Sequence, residues 1–560
     1  MNYKIFLLLP LMAAGLASCH DDLEETVFSN LTDDTAFTSA ENAQAAVNAM
    51  YAPLHSIYRD PMFQASDGTT DVCYDAGVKA FEVLNDNEIW VSSHMATCWD
   101  NFFQVTSRAN IVIDRVGAME ESIFGDDYDK AQMLAQAHFM RAYGYMELTD
   151  LFYRVPLTLS SGVDVSAKLP LASVEEIEEA IESDLKAAMT LPESYSSLED
   201  ANRPTLGAAR GFLVRLYMRQ AGRMRLAGQD ATAKWKQALE VVNDVLKMEG
   251  SVYSLQPNIW DVFNPETDAT LYNNELMFAI RASENISSGS WDLGLMFTNW
   301  DYDMGWNLFL IPLHQYWSFE PGDSRGSEML VTEFPNIYNG DNGASNSYYI
   351  APKSLAEISK IARSGLDASG NLKPGETYGT IGELSNVFTR KYEYHNSFKY
   401  TYRTKNNMPV LRFADMILCK AEILNEINGP TQDAINLINR IRSRAFGDDN
   451  HGLKLADYGT REALRSAICD ERAKELGMEC VRRVDLIRMG LWKDRMQKYF
   501  DRIKAIAQAR ATNEGKPAGY YDDDWRVYPQ DLTDNDKRRY MPIPKRETDY
   551  NPEFLNARNF

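Results

Sequence analysis

The chain has 560 residues, 45% of them hydrophobic and 24% charged, which is the composition of a globular protein with ample material for a core. Its formal net charge of −23 disfavours nucleic acid and anionic lipid as partners, because both bind basic surfaces, and leaves neutral ligands open. Length alone is a loose guide to about three or four domains.

The leader comes first in chain order. Lys4 is the only charge before Asp21, and the uncharged run from Ile5 to Leu16 (IFLLLPLMAAGL) is well short of the ~20 apolar residues that span a bilayer. A basic start, a short apolar stretch and small residues before a cut site mark residues 1–18 as a secretory signal. "LASC" at 16–19 resembles a bacterial lipobox, in which Cys19 is lipidated and becomes the mature N-terminus. Several acyl chains hold a protein on a membrane durably, since each buried CH2 contributes about 0.8 kcal/mol. The acidic "HDDLEE" that follows resembles a surface-export signal of Bacteroidetes lipoproteins, so the expected location is tethered and outward-facing. Five other cysteines (Cys73, Cys98, Cys419, Cys469, Cys480) leave room for a disulfide without forming a close-spaced framework.

From about 38 to 250 the pattern is helical. Thr38 to Glu41 has capping-box spacing ahead of "AENAQAAVNAMYAPL". Further amphipathic stretches follow at 99–116, 130–152, 171–192, 205–222 and 234–250, and Ser173 to Glu176 forms a second box. Paired helices about 35–45 residues apart suggest a divergent array related to tetratricopeptide repeats. An insertion at about 60–98 interrupts the pattern.

Between 251 and 405 the periodicity fades and Trp260, Trp291, Trp300, Trp306 and Trp317 cluster, as expected of a loop-rich lobe with a function. Helices return in the segment 406–560. "PVLRFADMILCKAEILNEI" carries apolar residues at 410, 413, 414, 417, 418, 421 and 424, and "TQDAINLINRIRSRA" follows a short break. Residues 460–490 read as one long helix bent at Gly477, and "YMPIPKRETDYNPEF" as an extended tail. The expected fold is mainly α: a tetratricopeptide-like scaffold made by residues 19–250 and 406–560, with an irregular ligand-binding lobe (251–405) inserted between them.

Five stretches carry a family resemblance: the lipobox at Cys19, "RAYGYMELTDLFYRVPL" (141–157), "VLRFADMILCKAEILNE" (410–426), "ERAKELGMECVRRVDLIRMG" (471–490) and "YMPIPKRETDYNPEF" (540–554). In this order and spacing they resemble the SusD/RagB family of Bacteroidetes outer-membrane lipoproteins, and the Asp-x-Arg of "GDSRGSEM" (322–329) resembles a further family feature. The resemblance implies a scaffold with four tetratricopeptide-like units and a non-catalytic protein that sits as a lid on a SusC-like TonB-dependent transporter. The implied cargo is an oligosaccharide or polysaccharide, with peptide as the alternative. "GMECVRRVDL" departs from the family pattern at Cys480 and Val484. Arg141, Arg412, Asp415, Glu422, Glu471, Arg472, Glu475, Arg482 and Asp485 lie on otherwise apolar helices, and buried charges need partners, so interhelix ion pairs are expected.

No HExxH, paired CxxC, Walker loop, GxSxG elbow or GxGxxG after a strand is present. His94 and Cys98 are only two candidate ligands, and "NGDNGASNS" (339–347) lacks EF-hand spacing, so no metal site or cofactor is expected. Eighty Asp and Glu make carboxylate pairs for glycoside hydrolysis uninformative. The positive signal is "SWDLGLMFTNWDYDMGW" (290–306), which interleaves rings with polar side chains: Trp291, Asp292, Asn299, Trp300, Tyr302, Asp303 and Trp306. A flat ring buries the C–H face of a sugar while polar neighbours bind its hydroxyl rim. The insertion adds Trp90, with Asp67, Asp71, Tyr74 and Asn87 as polar neighbours. A platform shared by Trp90, Trp291 and either Trp300 or Trp306 suits a flat β-linked glucan or xylan. Peptide capture, a cryptic glycoside hydrolase and a purely structural adaptor are the competing readings.

Overall fold

The computed structural model describes residues 37–75, 88–163, 167–195, 203–264, 273–281, 293–298, 305–335, 347–358, 362–364, 387–393, 407–522, 529 and 531–557. The leader with Cys19 therefore lies outside the described residues, as do most of the tryptophan-rich segment and the loop at 339–346.

The N-terminal scaffold starts with α1 (Ala40–Ala49) and α2 (Ala52–Arg59). Ser39, one residue later than the expected Thr38, is the N-cap: its backbone is extended and its Oγ accepts from Asn42 N at 3.3 Å. The main helices follow as α3 (Glu88–Ile111), α4 (Lys130–Phe152), α5 (Val174–Ala187), α6 (Leu206–Leu226) and α7 (Thr232–Leu246). The predicted box at the head of α5 is complete, with Glu176 N donating to Ser173 Oγ and Ser173 N donating back to Glu176 Oε2. Each helix packs on the next from α3 to α5, and α5 and α7 both pack on α6. α4 is buried on all sides from Phe139 to Thr149, as befits a helix inside the stack.

Two features carry the scaffold across the long central excursion. α7, ending at Leu246, packs directly on α8 (Phe413–Asn428). Alongside, β2 (Leu276–Ile280) pairs antiparallel with Met408–Arg412, in an irregular register that opens at Leu276↔Arg412 and closes at Ile280↔Met408. The helix expected from residue 409 therefore begins only at Phe413, because residues 408–412 are used as strand. Pro409 is tolerated there, in a two-stranded ladder.

The scaffold ends with α9 (Gln432–Phe446), α10 (Arg461–Leu476), α11 (Arg482–Met489) and α12 (Trp492–Asn513). The expected long helix with a bend is in fact two helices. Met478 and Cys480 between them have φ of 67° and 63°, a left-handed backbone that no helix continues through. α12 has no counterpart in the sequence reading, although its buried Met496, Tyr499, Phe500, Ile503 and Ala507 follow helical spacing. The tail returns over α4, where Met541 N donates to Leu151 O at 2.7 Å. It then forms a short helix at Lys545–Tyr550 where extended chain was expected. Gly222 allows α6 and α11 to touch, since a Cβ there would lie 2.6 Å from Arg488 O.

The central lobe contributes short strands: β3 (Phe309–Leu310), β4 (Leu330–Val331), β5 (Glu333–Pro335), β6 (Ser347–Ile350), β7 (Ala362–Ser364) and β8 (Phe388–Thr389). β5, β6 and β7 form one sheet, and β4 pairs with β8. One hydrophobic core runs from Ala40 to Ala557 and includes Phe297, Phe309 and Tyr392 of the lobe, so lobe and scaffold share an interior. Cys73, Cys98, Cys419, Cys469 and Cys480 are all buried and free. Among the described residues no helix is long and apolar enough to cross a membrane.

Candidate functional site

The site is built on an aromatic floor. Phe297 meets Tyr392 at a ring-centroid distance of 4.6 Å, Phe63 edge-on at 4.8 Å and Phe309 at 5.2 Å. Phe297 closes the one-turn helix Leu293–Phe297, every residue of which is buried. The chain at 305–308 is tied to that helix by three backbone bonds, from Trp306 N to Leu295 O (2.7 Å), Leu308 N to Met296 O (3.0 Å) and Asn307 N to Thr298 O (3.0 Å). Only glycine fits at 305, where a Cβ would lie 2.0 Å from Thr298 O. The result is a rigid mount whose outward product is Trp306, 50% exposed on an otherwise buried support.

The early insertion reaches the same place. β1 (Tyr74–Asp75) pairs antiparallel with β3, Tyr74 opposite Leu310 and Asp75 opposite Phe309, within a few residues of Trp306. The two sequence segments expected to bind ligand, more than 200 positions apart, thus meet edge to edge. Trp90 falls in the first turn of α3, but its side chain lies outside the described residues, as do Asn87, Trp291, Asp292, Asn299, Trp300, Tyr302 and Asp303.

Three expected ligand contacts, Asp67, Asp71 and Tyr74, need correction. Asp67 is fully buried, and its carboxylate accepts from Cys480 N (3.0 Å) and Arg482 N (3.3 Å). Asp71, 7% exposed, is bound on both oxygens by the Arg482 guanidinium at 2.7 Å. Both residues anchor the insertion to the α10–α11 turn and are not presented to a ligand. Tyr74 is likewise buried at the β1–β3 ladder. Burial pushes the Asp67 carboxyl up to about 7 against the pull of its two N–H donors. Burial acts on Asp71 in the same direction, but the Arg482 charge outweighs it and holds that carboxyl below its usual range. His314, packed on Tyr499 at 4.9 Å, is pushed down to about 4 by burial and is neutral at pH 7.

Beneath the site lies a layer of buried ion pairs, in agreement with the expectation for the helix charges. Arg412 donates to Glu275 (2.5 Å), Glu475 (3.0 Å) and Glu479 (2.7 Å). Asp323 and Arg325 of the Asp-x-Arg pair with each other at 2.8 Å, and Arg325 reaches Glu471 at 2.7 Å. Lys391 joins Glu479. The lobe (Glu275, Arg325, Lys391) is thereby locked to the scaffold (Arg412, Glu471, Glu475, Glu479). A second chain runs Arg215–Asp415–Arg472–Asp485–Arg488–Glu422, and Arg141 clasps Asp184. Glu147 is the exception, a carboxyl on the wall of an interior cavity shared with Tyr58, Arg215 and Cys480. Burial, with Asp150 nearby, pushes it up to about 8.

A cleft of about 320 Å³ opens elsewhere, on the scaffold between the ends of α4, α5, α6 and α11. Its charged groups are engaged internally, Arg219 with Asp150 and Glu178, Arg223 with Glu175 and Glu178. We favour the aromatic mount over this cleft because the mount presents a half-exposed indole next to the strand of the early insertion, whereas the cleft's charged groups are already paired with one another. Among the described residues no cluster of His, Cys, Asp or Glu is arranged to hold a metal ion.

Comparison with known proteins gives a consistent picture. The profile of the SusD family matches residues 315–559, and that of "Starch-binding associating with outer membrane" matches residues 27–218. SusD-like protein P25 of Formosa agariphila is 26% identical over 510 residues, 86% of this chain and 88% of the relative. Among solved structures, a SusD homolog from Bacteroides thetaiotaomicron superposes with a TM-score of 0.69 at 20% identity, over 93% of this chain and 98% of that one. Surface glycan-binding protein A from B. thetaiotaomicron, in complex with laminarihexaose, superposes with a TM-score of 0.64 at 18% identity, over 92% of this chain and 99% of that one. These structures share the fold: a mainly α, tetratricopeptide-like scaffold.

Proposed function

The chain belongs to the SusD/RagB family, and from that premise we propose that it is a cell-surface glycan-binding lipoprotein, non-catalytic, that hands oligo- or polysaccharide to a SusC-like TonB-dependent transporter. The observation that carries the reading is Trp306, a half-exposed indole whose backbone is bonded to the buried helix Leu293–Phe297 and which lies three residues before the strand that pairs with the early insertion. An exposed indole on a fixed backbone meets the C–H face of a sugar, and only its own side-chain torsions remain to be ordered. The cargo we propose is a β-linked glycan; the laminarihexaose complex of the fold relative, a β-linked glucose oligomer, supports the linkage class. On the sequence alone, Trp90 and Trp291 are the proposed partners of Trp306, with Trp300 as its alternative in the platform and Asn87, Asp292, Asn299, Tyr302 and Asp303 as proposed polar contacts; all of these side chains except that of Trp306 lie outside the described residues. Anchoring through lipid on Cys19 at the outer face of the outer membrane fits both the leader and the name of the N-terminal family profile.

The test is affinity electrophoresis of the soluble form, starting at residue 20, in gels containing laminarin, xylan, starch or host glycans. Retardation by one polysaccharide, with no shortening of it, supports capture without hydrolysis. Shortening would replace the reading with a glycoside hydrolase, and retardation by none would move the cargo to peptide.

A further inference from the structure

We propose that the loop after α12 carries a second sugar contact, centred on Tyr520, which extends the glycan-binding surface for polymeric ligands. The proposal rests on the glycan-binding reading above and adds a subsite to it.

Tyr520 is 58% exposed, among the largest exposures of any bulky apolar side chain described. A lone exposed ring would need no explanation, but this one is built in from below. Tyr521 meets it edge-on, with ring centroids 4.9 Å apart at 81°. Tyr521 is itself fixed on two sides. Its hydroxyl donates to Glu514, and the Arg510 guanidinium lies 3.9 Å from its ring centre. Arg510 Nε also donates to Glu514 at 3.2 Å, which closes a triangle of side chains under the exposed ring.

The backbone is held as firmly. Tyr520 N donates to Pro517 O (3.1 Å), Asp522 N to Gly519 O (3.0 Å) and Lys516 N to Ala511 O (2.8 Å). Gly515 and Gly519 supply the left-handed turns, with φ of 65° and 82°. Tyrosine loses little rotamer freedom on binding, and a pre-set loop removes most of the remaining ordering cost. The Lys516 ammonium lies over the ring, 5.2 Å from its centre, a cation on a flexible stem that a stacking sugar would displace and that would then be free to donate to its hydroxyls. The chemistry offered is therefore a flat apolar face with polar neighbours, which is what a pyranose ring takes.

Position makes it an outlying contact. α12 runs along the lobe, with Tyr499 against His314 and Arg502 over Trp317, and Asn513 Nδ2 donates to Ile358 O at 2.9 Å. Fourteen residues of helix separate Tyr499 from Asn513, or roughly 20 Å of rise. Tyr520 follows seven residues after Asn513, and we take it as an outlying contact that a long glycan meets and a short one does not.

The experiment compares wild type, Tyr520→Ala and Tyr520→Phe for laminarin by affinity electrophoresis and for laminarihexaose by titration calorimetry. Expected are a fivefold to tenfold weaker apparent affinity of Tyr520→Ala for laminarin, the loss of one stacking ring, an unchanged Kd for laminarihexaose, and wild-type behaviour of Tyr520→Phe. Unchanged laminarin retardation in Tyr520→Ala overturns the subsite, and so does an equal loss for both ligands, which would make Tyr520 part of the main platform. A wild type that binds neither ligand refutes the β-glucan reading itself, an outcome distinct from failure of the mutant comparison. Melting temperatures of the three proteins exclude a folding defect.

Discussion

Asp71 and Arg482 stand 411 positions apart in the chain and meet in a two-pronged ion pair, each carboxylate oxygen 2.7 Å from a guanidinium nitrogen. Neither side chain is more than 9% exposed. The pair joins the start of the early insertion to α11, so the loop that leads to the candidate site is fastened from inside the scaffold.

Removing one partner strands a buried charge. Arg482→Ala is expected to lower unfolding free energy by about 3–5 kcal/mol, whereas Lys498→Ala, at an exposed pair with Asp494, should change it by no more than about 0.5 kcal/mol. Urea titration of both variants checks the contrast. Because the folded Asp71 carboxyl is held below its usual 3.8, the pair's contribution is present above that pH and fades as pH falls through the depressed folded value.

Glu147 gives the opposite dependence. Its folded value is about 8 against an ordinary 4.5, so between those pH values the unfolded chain gives up a proton that the folded chain keeps, and stability declines. Glu147→Gln lacks this decline. Its advantage over wild type should grow from pH 4.5 to 8 and level off there, at on the order of 3–5 kcal/mol. Denaturant midpoints measured at pH 5, 7 and 9 test the trend; equal midpoints at all three would refute it. Asp67, at about 7, adds a similar slope that remains in the variant.

The five described cysteines should be silent to thiol reagents. Burial raises Cys73, Cys98, Cys419 and Cys480, and Cys469 to about 11, so none forms thiolate at neutral pH in the fold. Titration of the soluble form with a chromogenic disulfide should read near zero under native conditions and five thiols in guanidinium.

At the platform, Trp306→Ala should weaken glycan binding by about 1–3 kcal/mol while leaving the melting temperature unchanged, because the indole is half exposed and its support is backbone. Calorimetry and a thermal scan on the same sample separate the two effects. Trp90→Ala and Trp291→Ala should behave alike if they share the platform.

Most of the helices were legible because they carry their own period, and some of them a cap as well. Ser173 and Glu176 announce α5, and Ala135, Phe139, Ala142 and Met146 lie in order on α4. What local pattern could not reveal was pairing over distance. Residues 408–412 continue the helical spacing of α8 yet are claimed by β2, a partner more than 120 positions upstream. Asp67 and Asp71 sit beside an aromatic loop and look like ligand contacts, until the α10–α11 turn supplies the N–H groups and the guanidinium that occupy them. The charged residues on apolar helices were interpretable in kind, as ion pairs, but their partners were not. Geometry decides that Arg412 takes Glu275, Glu475 and Glu479 together.

The β2–β9 ladder, with β9 at Met408–Arg412, has an evolutionary consequence. It brings the two ends of the central excursion side by side, on top of helices that already pack across the gap. A chain that leaves and returns at one doorway can change length cheaply, since doubling a flexible loop costs only about 0.6 kcal/mol in closure entropy. Change in the lobe is therefore cheapest in its outer loops, whereas Glu275, Arg325 and Lys391, paired with scaffold charges, tie the parts next to the doorway to the frame.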